Sequence, residues 1–366
     1  MLQFNYRKNM KYLFLLLILN FCISNSAEAE QTPLAAFRVD SLWYVIDHDG
    51  NQLFSPLNVN YINDYSEGFY TIFLKYEGKA RWAFMTDEGN IAMPDCNVIR
   101  NFSDGRAMLI HILDTSNQLS MYGFIDKNGK EVIPSIYLDA LNFSEGKAWV
   151  MNRNVRGFID TNGTFLIKFD GETFGYTFSE GYAAVVNENS LFGYVDTTGK
   201  VVIDYQFDDA AEFKEGLARV NVLGMWGFVD KQGVMRIPTR YDFAHDFNYG
   251  HAFIGRAVDS YEQAVWGVVN ASNIMTVDFQ YEDVRNFSEG MGAVSLNGKW
   301  RFVNYIGQKV IEREFDSAER FKNGLAWAVD SETNEQGWIT PEGKYLIHIP
   351  EEADTVIDLR FNKKVK

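Results

Sequence analysis

Five short turns pair an aspartate with a glycine three residues later: DHDG (47–50), DKNG (126–129), DTNG (160–163), DTTG (196–199) and DKQG (230–233). Such turns resemble fragments of calcium loops. Calcium, however, takes many oxygen ligands, supplied by a longer loop that closes on a bidentate glutamate. Here strand-like residues follow the glycine at once, so aspartate acts as turn initiator and glycine supplies the positive φ. A second series, Glu67, Glu145, Glu180, Glu215 and Glu289, precedes the glycine of an aromatic-x-Glu-Gly turn. Glycosidic acid/base chemistry needs two carboxylates tuned apart in one cleft, not one identical acid per turn. Turn and solvent roles are expected for this series. His48, His111, His245, His251 and His348 are scattered, and no HExxH, GxSxG, phosphate-loop or dinucleotide-binding glycine pattern occurs. No catalytic, metal or cofactor residues are assigned, and no enzyme is expected. Cys96 has no histidine and acid signalled beside it.

The turns recur because the whole chain repeats. YSEG (65–68), FSDG (102–105), FSEG (143–146), FSEG (178–181), FKEG (213–216), FNYG (247–250), FSEG (287–290) and FKNG (321–324) follow one another with glycines 34–41 residues apart. A second landmark gives nine copies, among them WYVID (43–47), YGFID (122–126), WGFVD (226–230), WGVVN (266–270) and QGWIT (336–340). Each unit of about 35 residues reads as a strand such as LARVNV, a tight turn, a second strand such as WGFVD, an Asp-x-x-Gly turn and a third strand such as KVVID. A short connector such as FDDAAEF (207–213) leads to the next unit. Phe228 and Val229 are consecutive apolar residues on opposite faces of a strand, which requires cover on both sides. The units must therefore stack, since none can bury its aromatic residues alone. Gly227 is expected to make room for a close neighbour.

The pattern FxEGxAxV…WGFxDxxGKxVIxxxYDxA resembles the bacterial WG-repeat family, over residues 34 to about 361. Ala83 and Arg301 depart from it at the glycine, and Arg156, Phe192 and Gln336 at the tryptophan. The resemblance implies an exported repeat scaffold with no shared catalytic residues. The fold expected is all-β, with nine tandem three-stranded meander repeats. An open, curved, solenoid-like stack is favoured over a closed β-propeller, because nine units exceed the usual blade number. The segment EEADTVIDLRF (351–361) has the register of a connector, and would complete the first unit of a ring or cap a stack.

Arg7, Lys8 and Lys11, the apolar run YLFLLLILNFCI and the small-x-small site Ala27-Glu28-Ala29 match a secretory signal peptide over residues 1–29, with Met10 as a second candidate start. Residues 30–366 then form a single repeat domain. The run is short for a membrane span, so no integral span is expected in the mature chain. Lipid anchoring at Cys22 is disfavoured by the bulky Phe21 before it. Cleavage after Ala29 leaves Cys96 without a partner for a disulfide. The formal charge of −15 argues against nucleic acid, which needs clustered lysine and arginine. The chain is thus expected to be exported, to the periplasm, cell envelope or beyond, and to bind a protein or glycan partner there. A carbohydrate-binding module is the alternative, and a glycan-active enzyme stands behind it. Repeat-breaking insertions between the first two strands, at 73–82, 111–122, 256–266 and 329–338, are expected to project from one face. Tyr76, Arg81, Tyr122 and Tyr261 are the candidate partner-binding residues.

Overall fold

The computed structural model describes residues 33–366 apart from 115, 117, 118, 260–262 and 362. The leader expected over 1–29, with Met10 and Cys22, and the candidate Tyr261 lie outside the described residues.

One unit shows the rule. Asp209–Ala210, Leu217–Val222, Met225–Asp230 and Met235–Tyr241 form an antiparallel sheet in chain order. Ala218, Val220 and Val229 enter a core cluster shared with the preceding sheet, while Leu217 and Phe228 enter one shared with the following sheet. Every central strand is thus buried on both faces, as its unbroken apolar pairs require.

Nine such sheets occur among the described residues. Blade 1 joins Leu42–Asp47 and Pro33–Val39 to Thr355–Asp358 and Lys363–Lys364, and the later blades begin at Tyr61, Val98, Asp139, Phe174, Asp209, Phe243, Asp283 and Ser317. The molecule is a closed nine-bladed β-propeller of essentially four-stranded blades. Two expectations are thereby corrected. The connector is a strand: Asp209 pairs with Asn221 and Ala210 with Val220. Only two of its residues pair, which is why it reads as a loop in the sequence. The stack is also closed. An open stack of nine sheets has eight seams, whereas here nine clusters occupy nine seams. The last cluster joins Leu325, Trp327 and Trp338 of blade 9 to Leu34, Ile46 and Val356 of blade 1. Closure depends on each blade turning by one ninth of a circle, and a repeat count does not reveal that angle.

Blade 1 is stitched from both ends of the described chain, with Ala36 opposite Ile357 and Phe37 opposite Val356. At its seam Arg360 Nη2 meets Asp358 Oδ2 at 2.6 Å, both side chains almost wholly buried. Trp338 Nε1 donates to the same carboxylate at 3.1 Å, and Arg360 Nη1 donates to the Lys322 and Leu325 carbonyls of blade 9.

The Trp-Gly pair is structural. Trp226 is half-buried against its core cluster, with the Arg219 guanidinium 5.0 Å from the ring centroid. A Cβ on Gly227 would stand 2.5 Å from the Ile237 carbonyl oxygen and 2.6 Å from the Thr239 nitrogen, both in the outer strand. The exceptions obey the same rule. Where Tyr44, Ala83 and Arg301 replace the glycine, the outer strand has receded. In blades 1 and 8 only isolated bridges remain (Trp43 with Leu57, Ile46 with Gln52; Trp300 with Phe315, Val303 with Lys309). In blade 2 it shrinks to Ile91–Ala92.

Candidate functional site: the hairpin face

In an antiparallel four-stranded blade the first and third turns leave at one end and the second hairpin at the other. The aromatic-x-Glu-Gly and Asp-x-x-Gly turns therefore share one face of the ring. The hairpins between the second and third strands share the opposite face, and with them the repeat-breaking insertions.

Three acids recur in the blades, and the fold gives each backbone work. In the Asp-x-x-Gly turns one carboxylate oxygen accepts two N–H groups of its own turn. For Asp230 these come from Gln232 at 3.0 Å and Val234 at 2.9 Å, and Asp126, Asp160 and Asp196 repeat the pattern. Burial opposes ionisation of Asp230, but the Val234 and Gln232 N–H groups and Arg236 outweigh it and hold its pKa below the usual carboxylate value. The glutamates expected only to shape turns reach across the seam instead. Glu67, Glu145, Glu180, Glu215 and Glu289 accept the glycine N–H of the next blade's turn, at Gly105, Gly181, Gly216, Gly250 and Gly324. Beside them Ser66, Ser103, Ser144 and Ser179 donate to the next blade's phenylalanine carbonyl at 2.6–2.8 Å. Glu180 also holds Lys231 at 3.1 Å; burial opposes its charge, but Lys231 and the Gly216 and Glu215 N–H groups keep its pKa low.

The third acid follows the aromatic residue of the outer strand and caps the hairpin on the other face. Asp208 accepts Leu223 N–H at 2.6 Å, Asp242 accepts Ala257 N–H at 3.1 Å, and Glu282 accepts Asn297 and Gly298 N–H. Asp316 accepts Ser331 N–H at 2.6 Å and Lys299 at 2.6 Å, and these two contacts, Lys299 foremost, lower its pKa to about 2. The YDxA signature signals this cap in the sequence, but its partner becomes apparent only in the folded blade.

What the repeat leaves open is the outer surface of the hairpins. Tyr76 in blade 2, Leu113 in blade 3, Leu223 and Met225 in blade 6 and Val258 in blade 7 are exposed large apolar residues, with Leu223 89% exposed. The equivalent tips in blades 4 and 5 carry Asn152 and Arg153, and Asn187 and Glu188. Of the sequence candidates, Tyr76 flanks the turn of its hairpin, opposite Lys79, with nearly half of its surface exposed. Arg81 lies lower on the same hairpin, opposite Leu74, and meets Asp95 loosely at 3.9 Å. Tyr122 stands at the tryptophan position of blade 3 and packs against the seam cluster, opposite Ile110 and Tyr137. Tyr76 and Arg81 thus share one hairpin, while Tyr122 belongs to the core of the next blade. Leu113, Leu223, Met225 and Val258 were not singled out by the sequence, where Leu223 and Met225 fall in a tight turn and Leu113 and Val258 within interrupted segments.

The histidines are dispersed through the ring: His245 packs on Trp266 at 4.7 Å, and His251 stacks on Tyr305 at 4.5 Å. Burial pushes the Cys96 thiol up to about 11, with Asp95 adding to it. Among the described residues no group of three or more histidine, cysteine or acidic side chains is placed to hold a metal ion. No helix among them is long and apolar enough to cross a membrane.

The model of the WG containing repeat matches this chain six times, at residues 122–155, 157–190, 192–225, 226–254, 266–300 and 300–330, together more than half of its length. No curated protein matches. A eukaryotic initiation factor structure is similar at a TM-score of 0.59 and 11% identity, covering 87% of this chain and 96% of that one. BamB from Moraxella catarrhalis aligns at 0.43 and 12% identity, over 85% and 97% of the two chains. The Pan2 WD40 domain of Neurospora crassa aligns at 0.33 and 10% identity, over 68% and 90%. At these identities the likeness concerns the fold alone.

Proposed function

The chain belongs to the WG containing repeat family, and from that premise we propose that it is an exported, non-catalytic scaffold that binds a protein of the cell envelope through its hairpin face. One observation carries this reading. The recurrent acids are committed to backbone N–H groups and the recurrent aromatic residues to the seams, whereas the hairpins of blades 2, 3, 6 and 7 expose Tyr76, Leu113, Leu223, Met225 and Val258. Exposed apolar side chains on an otherwise polar rim are the kind that become interface anchors. The ring is already ordered, so binding there costs little conformational entropy. Export rests on the basic and apolar N-terminal segment with its small-x-small site.

Tagged mature protein, with and without Leu113→Ser and Leu223→Ser, is cross-linked in its native envelope and the captured partners are compared. A partner lost with the double variant at unchanged folding supports the scaffold. Turnover of a defined glycan that depends on a single carboxylate would replace it with an enzyme.

A further inference from the structure

Among the described residues, the outer backbone edge of the third strand is paired at the tryptophan position in eight blades and unpaired there in one. At the tryptophan position the ladder pairs Tyr122 with Tyr137, Arg156 with Phe169, Phe192 with Phe207, Trp226 with Tyr241 and Trp266 with Tyr281. Trp43 exchanges two bonds with Leu57, Trp300 exchanges two with Phe315, and the Gln336 carbonyl accepts Ile349 N–H at 3.2 Å. In blade 2 the outer strand pairs only Phe84 with Ala92 and Met85 with Ile91, so the ladder ends before Trp82. Cys96 follows Ala92 by the same interval that separates Tyr241 from Ile237, but its N–H turns back onto the Pro94 carbonyl at 3.0 Å.

The hairpin register fixes which groups are left. Tyr76 and Lys79 flank the two-residue turn Glu77-Gly78, so Lys79, Arg81 and Ala83 bond to the second strand, and Ala80 and Trp82 point N–H and C=O outward. An uncovered edge of this kind is a template for another strand. Its surroundings select the strand. Lys75, Lys79 and Arg81 stand along this hairpin against the single acid Glu77, in a chain of net charge −15, and among the described residues the ion pair of Arg81 is a loose one, 3.9 Å to the fully exposed Asp95. Opposite the tryptophan position, blades 3 to 8 each supply an aromatic ring.

We propose that this edge of blade 2 receives an extended acidic segment of a partner protein, added as a strand beside Lys79–Trp82 with an aromatic residue opposite Trp82. This inference rests on the scaffold reading and names its partner chemistry.

The probe is a synthetic peptide of residues 206–213, QFDDAAEF, which carries the aromatic Phe207 and, on the side that would run beside Lys79 and Arg81, the acids Asp208, Asp209 and Glu212. It is titrated into the mature chain at low and high salt, with hydrogen exchange followed at Ala80 and Trp82. The expected results are saturable binding that weakens with salt, slowed exchange of both amides, and loss of affinity of about tenfold in Lys79→Glu/Arg81→Glu. N-methylation of the peptide at Phe207 should abolish binding, because it deletes the donor that faces Trp82. Absent binding, binding that leaves both amides unprotected, or equal binding of the peptide with Asp208 and Asp209 changed to asparagine and Glu212 to glutamine overturns the proposal. Concentration-dependent self-association that protects the same amides also overturns it, assigning the edge to a second copy. A native partner captured equally well by Lys79→Glu/Arg81→Glu refutes the strand while leaving the scaffold reading intact.

Discussion

Gly227→Ala tests the physical meaning of the glycine in the repeat. The added Cβ would lie 2.5 Å from the Ile237 oxygen, 2.6 Å from the Thr239 nitrogen and 2.8 Å from the Pro238 carbonyl carbon. All three contacts are backbone, so no side-chain rotation relieves them, and the outer strand must move. Moving it disrupts the pairs Trp226 with Tyr241 and Phe228 with Ile237. Losing two or three bonds at about 1 kcal/mol each, or straining the strand instead, gives a cost of about 2–4 kcal/mol. Ala83→Gly in blade 2 is the control. There the outer strand has already receded, so the change relieves no clash and should cost only the backbone entropy of glycine, about 0.5–1 kcal/mol, plus the lost burial of one core methyl group, about 0.8 kcal/mol. Urea unfolding gives the global cost, and hydrogen exchange at Thr239 and Tyr241 locates it. The reasoning fails if Gly227→Ala costs no more than the control, or if stability falls while both amides keep their protection.

The closing seam and the ring of acids give further expectations. Arg360→Ala leaves the buried Asp358 without its cation and should cost about 3–5 kcal/mol; limited proteolysis should then cut first beside the blade 1 strands Pro33–Val39 and Thr355–Asp358. Glu180→Ala removes both the cross-seam acceptor for Gly216 and the partner of Lys231, for about 1 kcal/mol by thermal or urea unfolding. Asp126, Asp196, Asp230, Glu180 and Asp316 all have lowered folded pKa values. Their stabilisation is complete above the unfolded values and is lost as pH falls through the folded ones. The melting temperature should therefore drop steeply between about pH 4 and pH 2. His245 behaves separately: burial, opposed by the neighbouring Asn286, lowers its pKa from 6.5. The unfolded chain then binds the proton first, so stability declines below about pH 6.5, and His245→Phe should flatten that part of the profile.

Much of this molecule is legible as a repeat, because the repeat is written in side chains that must be apolar on both faces. Phe228 and Val229 imply cover on two sides without any structure, and they have it in two different seams. The Asp-x-x-Gly turns are equally local, since Asp230 Oδ1 accepts the N–H groups of residues two and four positions on. What is not local is not legible. Glu145 and Glu180 look like solvent-facing turn residues because their acceptor role is completed by a glycine 36 residues later. Ring closure depends on a blade built from Pro33–Val39 and Thr355–Asp358, segments that share no motif.

The same distinction explains why the candidate binding surface was only partly visible. Insertions mark the hairpins in the sequence, but a hairpin tip and a core position can carry the same residue type. Tyr76 and Tyr122 both fall within interrupted segments, yet Tyr122 occupies the tryptophan position and is held between Ile110 and Tyr137. Alignment on the glycine separates them, since Gly123 follows Tyr122 as Gly227 follows Trp226. Glycine at that position reports an outer strand pressed against the third, and its replacement reports that the strand has withdrawn. Blades 1, 2 and 8 have lost the glycine, and blades 1 and 8 cover the vacated edge with their own chain at Leu57 and Phe315. Blade 2 instead folds Cys96 back on Pro94. A substitution at one residue, Ala83, thus points to the blade whose edge the described residues leave unpaired, and the basic hairpin carrying Lys79 and Arg81 stands on that blade.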